Sequence, residues 1–351
     1  MESQAYNQWL YIKYVIVWVS HADVMKRGEN MINQFLDVSG YSILGFLGVA
    51  FAYLATCILL GAFINKLPQD HGRAFAHDGV LSAGKPRGAG FIFILVFVAA
   101  AIIFCGLQRE MIIYLILVVA AMMTGFLDDC AKVSWGELRK GLLDLVIAVM
   151  TAFTYVNFNG SDVQIALTGQ TFTLHPVVYG ILAVILVWGS INVTNCADGV
   201  DGLSGTLASV TLGTVYIIMQ AREITPEFAY LILLFIACIL GYLWYNATPS
   251  TLMMGDAGSR AIGLFIAIAV MKTGSPFLYL LVASVLMVDG GIGLVKVSLL
   301  RFLHIKILTK IRTPLHDHVR KNKQWSNAQT VFKFAIIQIM ISAAVISFVC
   351  K

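Results

Sequence analysis

Asn192-Val-Thr-Asn195-Cys-Ala-Asp198-Gly-Val-Asp201-Gly-Leu203 joins two apolar runs, Val177 to Ile191 and Leu203 to Met219. A connector between membrane helices needs only a few polar residues to turn the chain. This one carries Asn195, Asp198 and Asp201 at intervals of three, which on a helix would share one face. A polar turn with an aspartate as helix N-cap is the simpler account. Ionisable groups at the end of a membrane helix are costly, however, unless they serve a site or meet partners. The stretch therefore points to a site at a helix end, and the rest of the chain has to supply its other residues.

The composition places the chain in a membrane. Apolar residues make up 59% and charged ones 12% of 351, with a mean hydropathy of +0.82; soluble domains carry roughly 25% charged residues. The expected architecture is an all-α polytopic membrane protein with about ten transmembrane helices of ~20 residues. The apolar runs are 41–64, 88–106, 111–127, 140–158, 176–194, 203–220, 227–245, 259–273, 276–300 and 331–350. Loops 64–88, 127–140, 194–203, 245–259 and 300–331 hold fourteen Lys and Arg, against seven on the opposite side. Basic loops stay in the cytoplasm, so both termini are expected outside and the five basic loops inside. Residues 1–40 read as an extracytoplasmic segment with an interfacial helix rather than a signal peptide, and 41–351 as a ten-helix domain. Residues 159–174 alternate around Thr168-Gly169-Gln170 and predict a hairpin. Six cysteines include no Cys-x-x-Cys pair and read as reduced thiols.

Every acid-rich motif falls on the basic side. Gly125-Phe-Leu-Asp128-Asp129-Cys-Ala-Lys132 places two carboxylates and a lysine at a helix end. An i,i+4 ion pair explains Asp128 with Lys132; a divalent metal and a phosphate explain the whole group. Asn246 precedes Met253-Met-Gly255-Asp256-Ala-Gly-Ser259, where glycines allow close approach to a ligand and a helix begins, as suits an anion. Asp256 as a cap of that helix is the alternative. Arg312-Thr-Pro-Leu-His316-Asp317-His318 lacks ligand spacing for zinc and suits a phosphate or sugar contact. Lys85-Pro-Arg87-Gly-Ala-Gly90 suits oxyanion binding. The basic, amphipathic stretch 296–310 suits an anionic lipid surface, and no nucleic-acid partner is expected.

Together these motifs resemble the polyprenyl-phosphate N-acetylhexosamine 1-phosphate transferase superfamily over about residues 60 to 350. Asp128-Asp129-x-x-Lys132, Asn195-x-x-Asp198-Gly-x-Asp201-Gly, Asn246 with Gly255-Asp256-x-Gly-Ser, and Thr313-Pro-Leu-His316-x-His318 are similar to its motifs, most closely in the phospho-N-acetylmuramoyl-pentapeptide transferase branch. The resemblance implies Mg²⁺-dependent transfer of phospho-N-acetylmuramoyl-pentapeptide from UDP to undecaprenyl phosphate, giving lipid I and UMP at the bacterial inner membrane. It implies catalytic roles for Asp128, Asp129, Lys132, Asp256, His316 and His318, with Asp256 and Asp128 at the metal. Substrate contacts fall to Lys85, Arg87, Lys140, Asn195, Asp198, Asp201, Asn246, Met253 and Gly255. A homodimer is the assembly it suggests for testing. The chain departs from the pattern in three places: Asp317 stands for the middle histidine, Met253 for a phenylalanine that stacks on uracil, and the stretch 85–90 is closer to the branch that transfers N-acetylglucosamine 1-phosphate. That branch is the alternative enzyme. A cation-coupled transporter is the alternative of another class, disfavoured because the acids lie at span ends rather than at midplane.

Overall fold

The computed structural model of the chain describes residues 41–70, 72, 82–131 and 133–350. Residues 1–40, Lys132 and most of the first basic loop lie outside these, and with them the expected interfacial helix. The molecule is helical: α1 (Tyr41–Phe63), α2 (Gly90–Phe104), α3 (Arg109–Asp129), α4 (Glu137–Asn159), α5 (Pro176–Ala197), α6 (Leu203–Ala221), α7 (Pro226–Asn246), α8 (Gly255–Lys272), α9 (Tyr279–Val282), α10 (Ser284–Leu286), α11 (Ile292–Phe302), α12 (Leu315–Lys323) and α13 (Asn327–Val349). Each predicted apolar run falls on a helix or, for 276–300, on the broken series α9 to α11.

Seven of these helices are long and apolar enough to cross a membrane, and an eighth span results if the pair Pro276–Val282 and Ser284–Arg301, bent by 72°, counts as one. α2 is shorter, at 15 residues. Its start is delayed because residues 89 and 90 pair with the loop before α8: the Ala89 and Gly90 N–H groups donate to the Met253 and Met254 carbonyls at 3.1 and 3.0 Å. α8 carries three charges, Asp256, Arg260 and Lys272. Side chains such as Phe46, Leu54, Ile58, Val146, Phe153, Phe332 and Met340 are exposed on the outer faces of α1, α4 and α13. A water-soluble protein does not leave that much apolar surface bare, so the chain is a polytopic helical membrane protein. The hairpin predicted in 159–174 is present, with β1 (Asp162–Gln164) antiparallel to β2 (Thr171–Thr173).

α8 is the axis of the bundle. Every residue from Gly255 to Met271 is buried, and α2, α3 and α5 pack on it. Small residues permit the approach, as membrane helix packing requires. A Cβ at Gly90 would overlap the backbone of Gly258, and one at Gly125 the backbone of Asp256. Both contacts lie in the first turn of α8, so the two glycines fix the depth of that turn in the bundle. Gly125→Ala is expected to destabilise the protein by about 1–3 kcal/mol through overpacking, read as a lower unfolding temperature in detergent micelles. An unchanged temperature would show that α3 can step back from α8 freely.

Candidate active site

Three separate stretches meet at the first turn of α8. The chain from Pro68 to Asp70 runs beside Lys85 to Arg87: the Asp70 N–H donates to the Lys85 carbonyl (2.9 Å), and the Arg87 N–H to the Pro68 carbonyl (2.7 Å). On the other side, the Met253 N–H donates to the Pro86 carbonyl at 2.8 Å. This pairing keeps residues 85–87 extended, so Lys85 and Arg87 project to the same side. The end of α3 supplies Asp128 and Asp129.

Arg87 is the hub of the charges. Its Nε lies 2.8 Å from Asp129 Oδ1, Nη2 is 2.9 Å from Asp256 Oδ1, and Nη1 is 3.3 Å from Asp70 Oδ1. Burial alone would pull its pKa down, but the carboxylates of Asp129, Asp256, Asp70 and Asp198 outweigh burial and raise it, so Arg87 is held in its charged form. Asp129 also accepts the backbone N–H groups of Asp256 (3.1 Å) and Ala257 (3.2 Å). The cap of α8 is therefore Asp129 from another helix, at the positive end of the helix dipole. That frees Asp256 from the capping role the sequence allowed and turns it toward Arg87 and Lys140.

Lys140 joins the two remaining acids. Its Nζ lies 3.0 Å from Asp256 Oδ2 and also pairs with Asp128 Oδ2. Asp128 Oδ1 accepts the Trp135 N–H at 2.6 Å. Behind Asp256, the Arg260 Nη1 donates to Asp144 Oδ1 at 3.0 Å, with both residues buried.

Of the residues singled out in the sequence, Lys85, Arg87, Asn195, Asp198, Asp201, Asn246, Met253, Gly255 and Asp256 line one cavity of about 350 Å³. Lys85 Nζ donates to Ser250 Oγ (3.0 Å) and lies 3.6 Å from Asp201 Oδ2. Asn195 donates to Ser259 Oγ (2.9 Å), which fastens the central motif to α8. Asn246 has a structural position: its Oδ1 accepts the Gly202 N–H and its Nδ2 donates to the Leu252 carbonyl, each at 2.8 Å. Asp128, Asp129 and Lys140 flank the cavity and reach it through Asp256 and Arg87. His316 and His318 are not on its wall: His316 is buried behind Gly199, and His318 Nδ1 accepts the Arg312 N–H at 3.3 Å. Lys132 lies outside the described residues.

Sequence reading missed Asp70, Asp144, Arg260, Asp289 and Arg320. Asp144 and Asp289 lie within apolar helical stretches, and a lone acid in such a run signals a partner by itself. Asp70 had only its place near the first basic motif to mark it.

Among the described residues, no three His, Cys, Asp or Glu side chains are grouped as a preformed metal cage. Mg²⁺ does not require one, since it usually takes one or two carboxylates and completes its shell with water and substrate phosphates. Asp128 Oδ2 and Asp256 Oδ2 converge on a single cationic atom, Lys140 Nζ. Two carboxylates aimed at one point suit a hard divalent cation.

A helical membrane bundle with carboxylates and fixed cations around one cavity has the charge pattern of a membrane enzyme site. Residues 111–274 match the family described as Glycosyl transferase family 4. The chain is 39% identical over 338 residues to the phospho-N-acetylmuramoyl-pentapeptide-transferase of Treponema pallidum (strain Nichols), covering 90% of this chain and 92% of that protein. It is 30% identical over 264 residues to the enzyme of that name from Symbiobacterium thermophilum (72% and 78% covered). With that from Bartonella quintana it shares 26% over 303 residues (79% and 84%). The chain belongs to the phospho-N-acetylmuramoyl-pentapeptide-transferase family. It is an enzyme, a phosphoglycosyl transferase.

Proposed function

We propose that the protein transfers phospho-N-acetylmuramoyl-pentapeptide from its UDP donor to undecaprenyl phosphate, releasing UMP and forming lipid I. The observation that carries this reading is the cavity on which residues from three distant motifs meet, with Arg87 and Lys85 beside Asp256 and Asp201. We place the cavity on the cytoplasmic side of the bacterial inner membrane. Lys and Arg concentrate in the loops at that end, ten spans carry the chain, and the termini lie outside.

The reaction brings an acceptor phosphate against a diphosphate, and in a poorly solvated site their repulsion is large. Lys85 and Arg87 bind and orient the diphosphate oxygens, Arg87 through a planar fork suited to phosphate. Asp128 orients the acceptor phosphate; that group loses its last proton near pH ~6, so proton removal is not required of the protein. Asp198, Asp201 and Met253 shape the nucleotide end of the cavity. Asp256 and Asp128 would hold Mg²⁺, which supplies charge neutralisation at the diphosphate and the leaving UMP. The closed pairs of Lys140 with Asp128 and Asp256 keep these oxygens in register before substrate arrives.

Purified protein offered undecaprenyl phosphate and either UDP-N-acetylmuramoyl-pentapeptide or UDP-N-acetylglucosamine tests the assignment by UMP release. Turnover with the pentapeptide donor alone is expected. Turnover with N-acetylglucosamine alone would move the enzyme to the other branch, the one that the stretch 85–90 resembles. Chelation of divalent ions is expected to abolish release and Mg²⁺ to restore it; full activity in chelator would reject the metal role.

A further inference from the structure

The helix α12 reaches the cavity at two points: Arg320 stands on its wall, and His316 lies behind Gly199. His316 is 2% exposed, and its ring lies against Gly199, where a Cβ would overlap the imidazole with Nε2 as the nearest atom. The far edge of the ring is held by Asp289. One oxygen of that carboxylate accepts the His316 backbone N–H and the other meets Nδ1, both at 2.7 Å. Asp289 is fully buried on the π-turn Met287–Gly291 of the broken span. π-Turns interrupt helices to re-aim single side chains, often at functional sites.

One turn further along the same face of α12 lies Arg320. Its Nη2 donates to the Gly199 carbonyl (3.4 Å) and to Asp317 Oδ1 (2.8 Å), and its Nη1 to Asn327 Oδ1 (3.0 Å). Asp317, where the resembled pattern has a histidine, here holds this arginine. Gly199 is thus gripped at its Cα by His316 and at its carbonyl by Arg320. Its neighbours Asp198 and Asp201 both stand on the cavity wall.

We propose that Asp289 and Arg320 are positioning residues for donor binding. Asp289 orients His316, His316 and Arg320 fix Gly199, and the fixed Gly199 sets where the Asp198 and Asp201 carboxylates stand. The inference rests on the reading of that cavity as the nucleotide-donor site. Asp289 does this because a carboxylate accepts two hydrogen bonds at once, while an amide offers a single acceptor oxygen. Since the carboxylate only accepts, His316 carries its proton on Nδ1 and leaves Nε2 against Gly199. In Asp289→Asn, keeping the bond to the backbone N–H turns the amide NH₂ toward Nδ1. The ring proton must then move to Nε2.

Two measurements decide it. In ¹⁵N-histidine-labelled protein without ligand, His316 is expected as the Nδ1–H form in the parent and the Nε2–H form in Asp289→Asn. One and the same tautomer in both would overturn the role of Asp289. For the clamp, the probe is UDP binding in a double-mutant cycle. Gly199→Ala is expected to weaken UDP about 10-fold in the parent but less than about 3-fold in a His316→Ala background, where the ring that the methyl meets is gone. Equal losses in both backgrounds would overturn the clamp. Arg320→Lys, which keeps the charge and loses the fork, is expected to raise the donor KM about 10-fold with kcat and acceptor KM within about 3-fold; a fall in kcat alone would count against positioning. A parent protein that does not bind UDP would refute the donor-site reading, and the tautomer measurement would still decide the role of Asp289.

Discussion

Asp256→Asn is expected to lower transfer by roughly 10²–10³-fold at saturating Mg²⁺, the range seen when one preorganised electrostatic contact is removed from a buried site. The amide has nearly the shape of the carboxylate, so α8 and its cap from Asp129 stay in place and the protein remains folded. What changes is charge. Arg87 Nη2 and Lys140 Nζ both lie within 3.0 Å of Asp256, with Arg260 Nε at 3.9 Å. Replacing the carboxylate leaves three cations facing one neutral group, and the amide must aim its own NH₂ at one of them. The surplus positive charge attracts the donor diphosphate at least as well as before, so the donor KM is expected to hold or fall. The proposed Mg²⁺ would lose one of its two carboxylates, so kcat is expected to fall and half-maximal activity to move to higher Mg²⁺. Steady-state UMP release at several Mg²⁺ concentrations separates these effects. A kcat within about 3-fold of the parent at saturating metal would remove Asp256 from the reaction.

Much of this site is legible in the sequence because its residues come in short motifs with local logic. Asn195-x-x-Asp198-Gly-x-Asp201-Gly interrupts an apolar run, and no membrane turn needs so many acids. The spans are legible for a similar reason: hydropathy is additive along the chain. What the sequence hides is pairing at a distance. Asp129 looks like half of an acidic pair, yet it pairs with Arg87 and with backbone N–H groups 127 and 128 residues away. Asp128 has Lys132 at the spacing of a helical ion pair, but α3 ends at Asp129, and its observed partner is Lys140. Asp289 is marked as a lone acid in an apolar run, but nothing local names its partner, His316, 27 residues on. Hydropathy also fails to mark where a helix starts. Residues 88 and 89 read as part of α2, but the helix starts at Gly90, and the loop before α8 engages the backbone of Ala89 and Gly90.

The heaviest structural loss is expected at Arg87. Asp70, Asp129 and Asp256 are buried, and their carboxylates approach this one guanidinium from three directions. Removing one partner of a buried ion pair costs about 3–5 kcal/mol, because the charge left behind is uncompensated. Arg87→Ala leaves three such charges sharing the remaining cations, so it is expected to unfold roughly 10 °C lower and to show no transfer. Arg87→Lys separates charge from geometry. An ammonium is a point charge and cannot span three carboxylates as a planar fork does. The Lys85–Arg87 strand holds the side chain next to Asp129 and Asp256, so Asp70 is the carboxylate expected to lose its partner, retaining the Ser82 hydroxyl at 2.7 Å. It follows that neutralising Asp70 should help the lysine variant and harm the parent. In the double variant Asp70→Asn with Arg87→Lys, unfolding temperature in detergent is expected to rise above that of Arg87→Lys alone, while Asp70→Asn alone lowers it. Simple addition of the two losses would mean that Arg87 does not hold the three carboxylates as one unit.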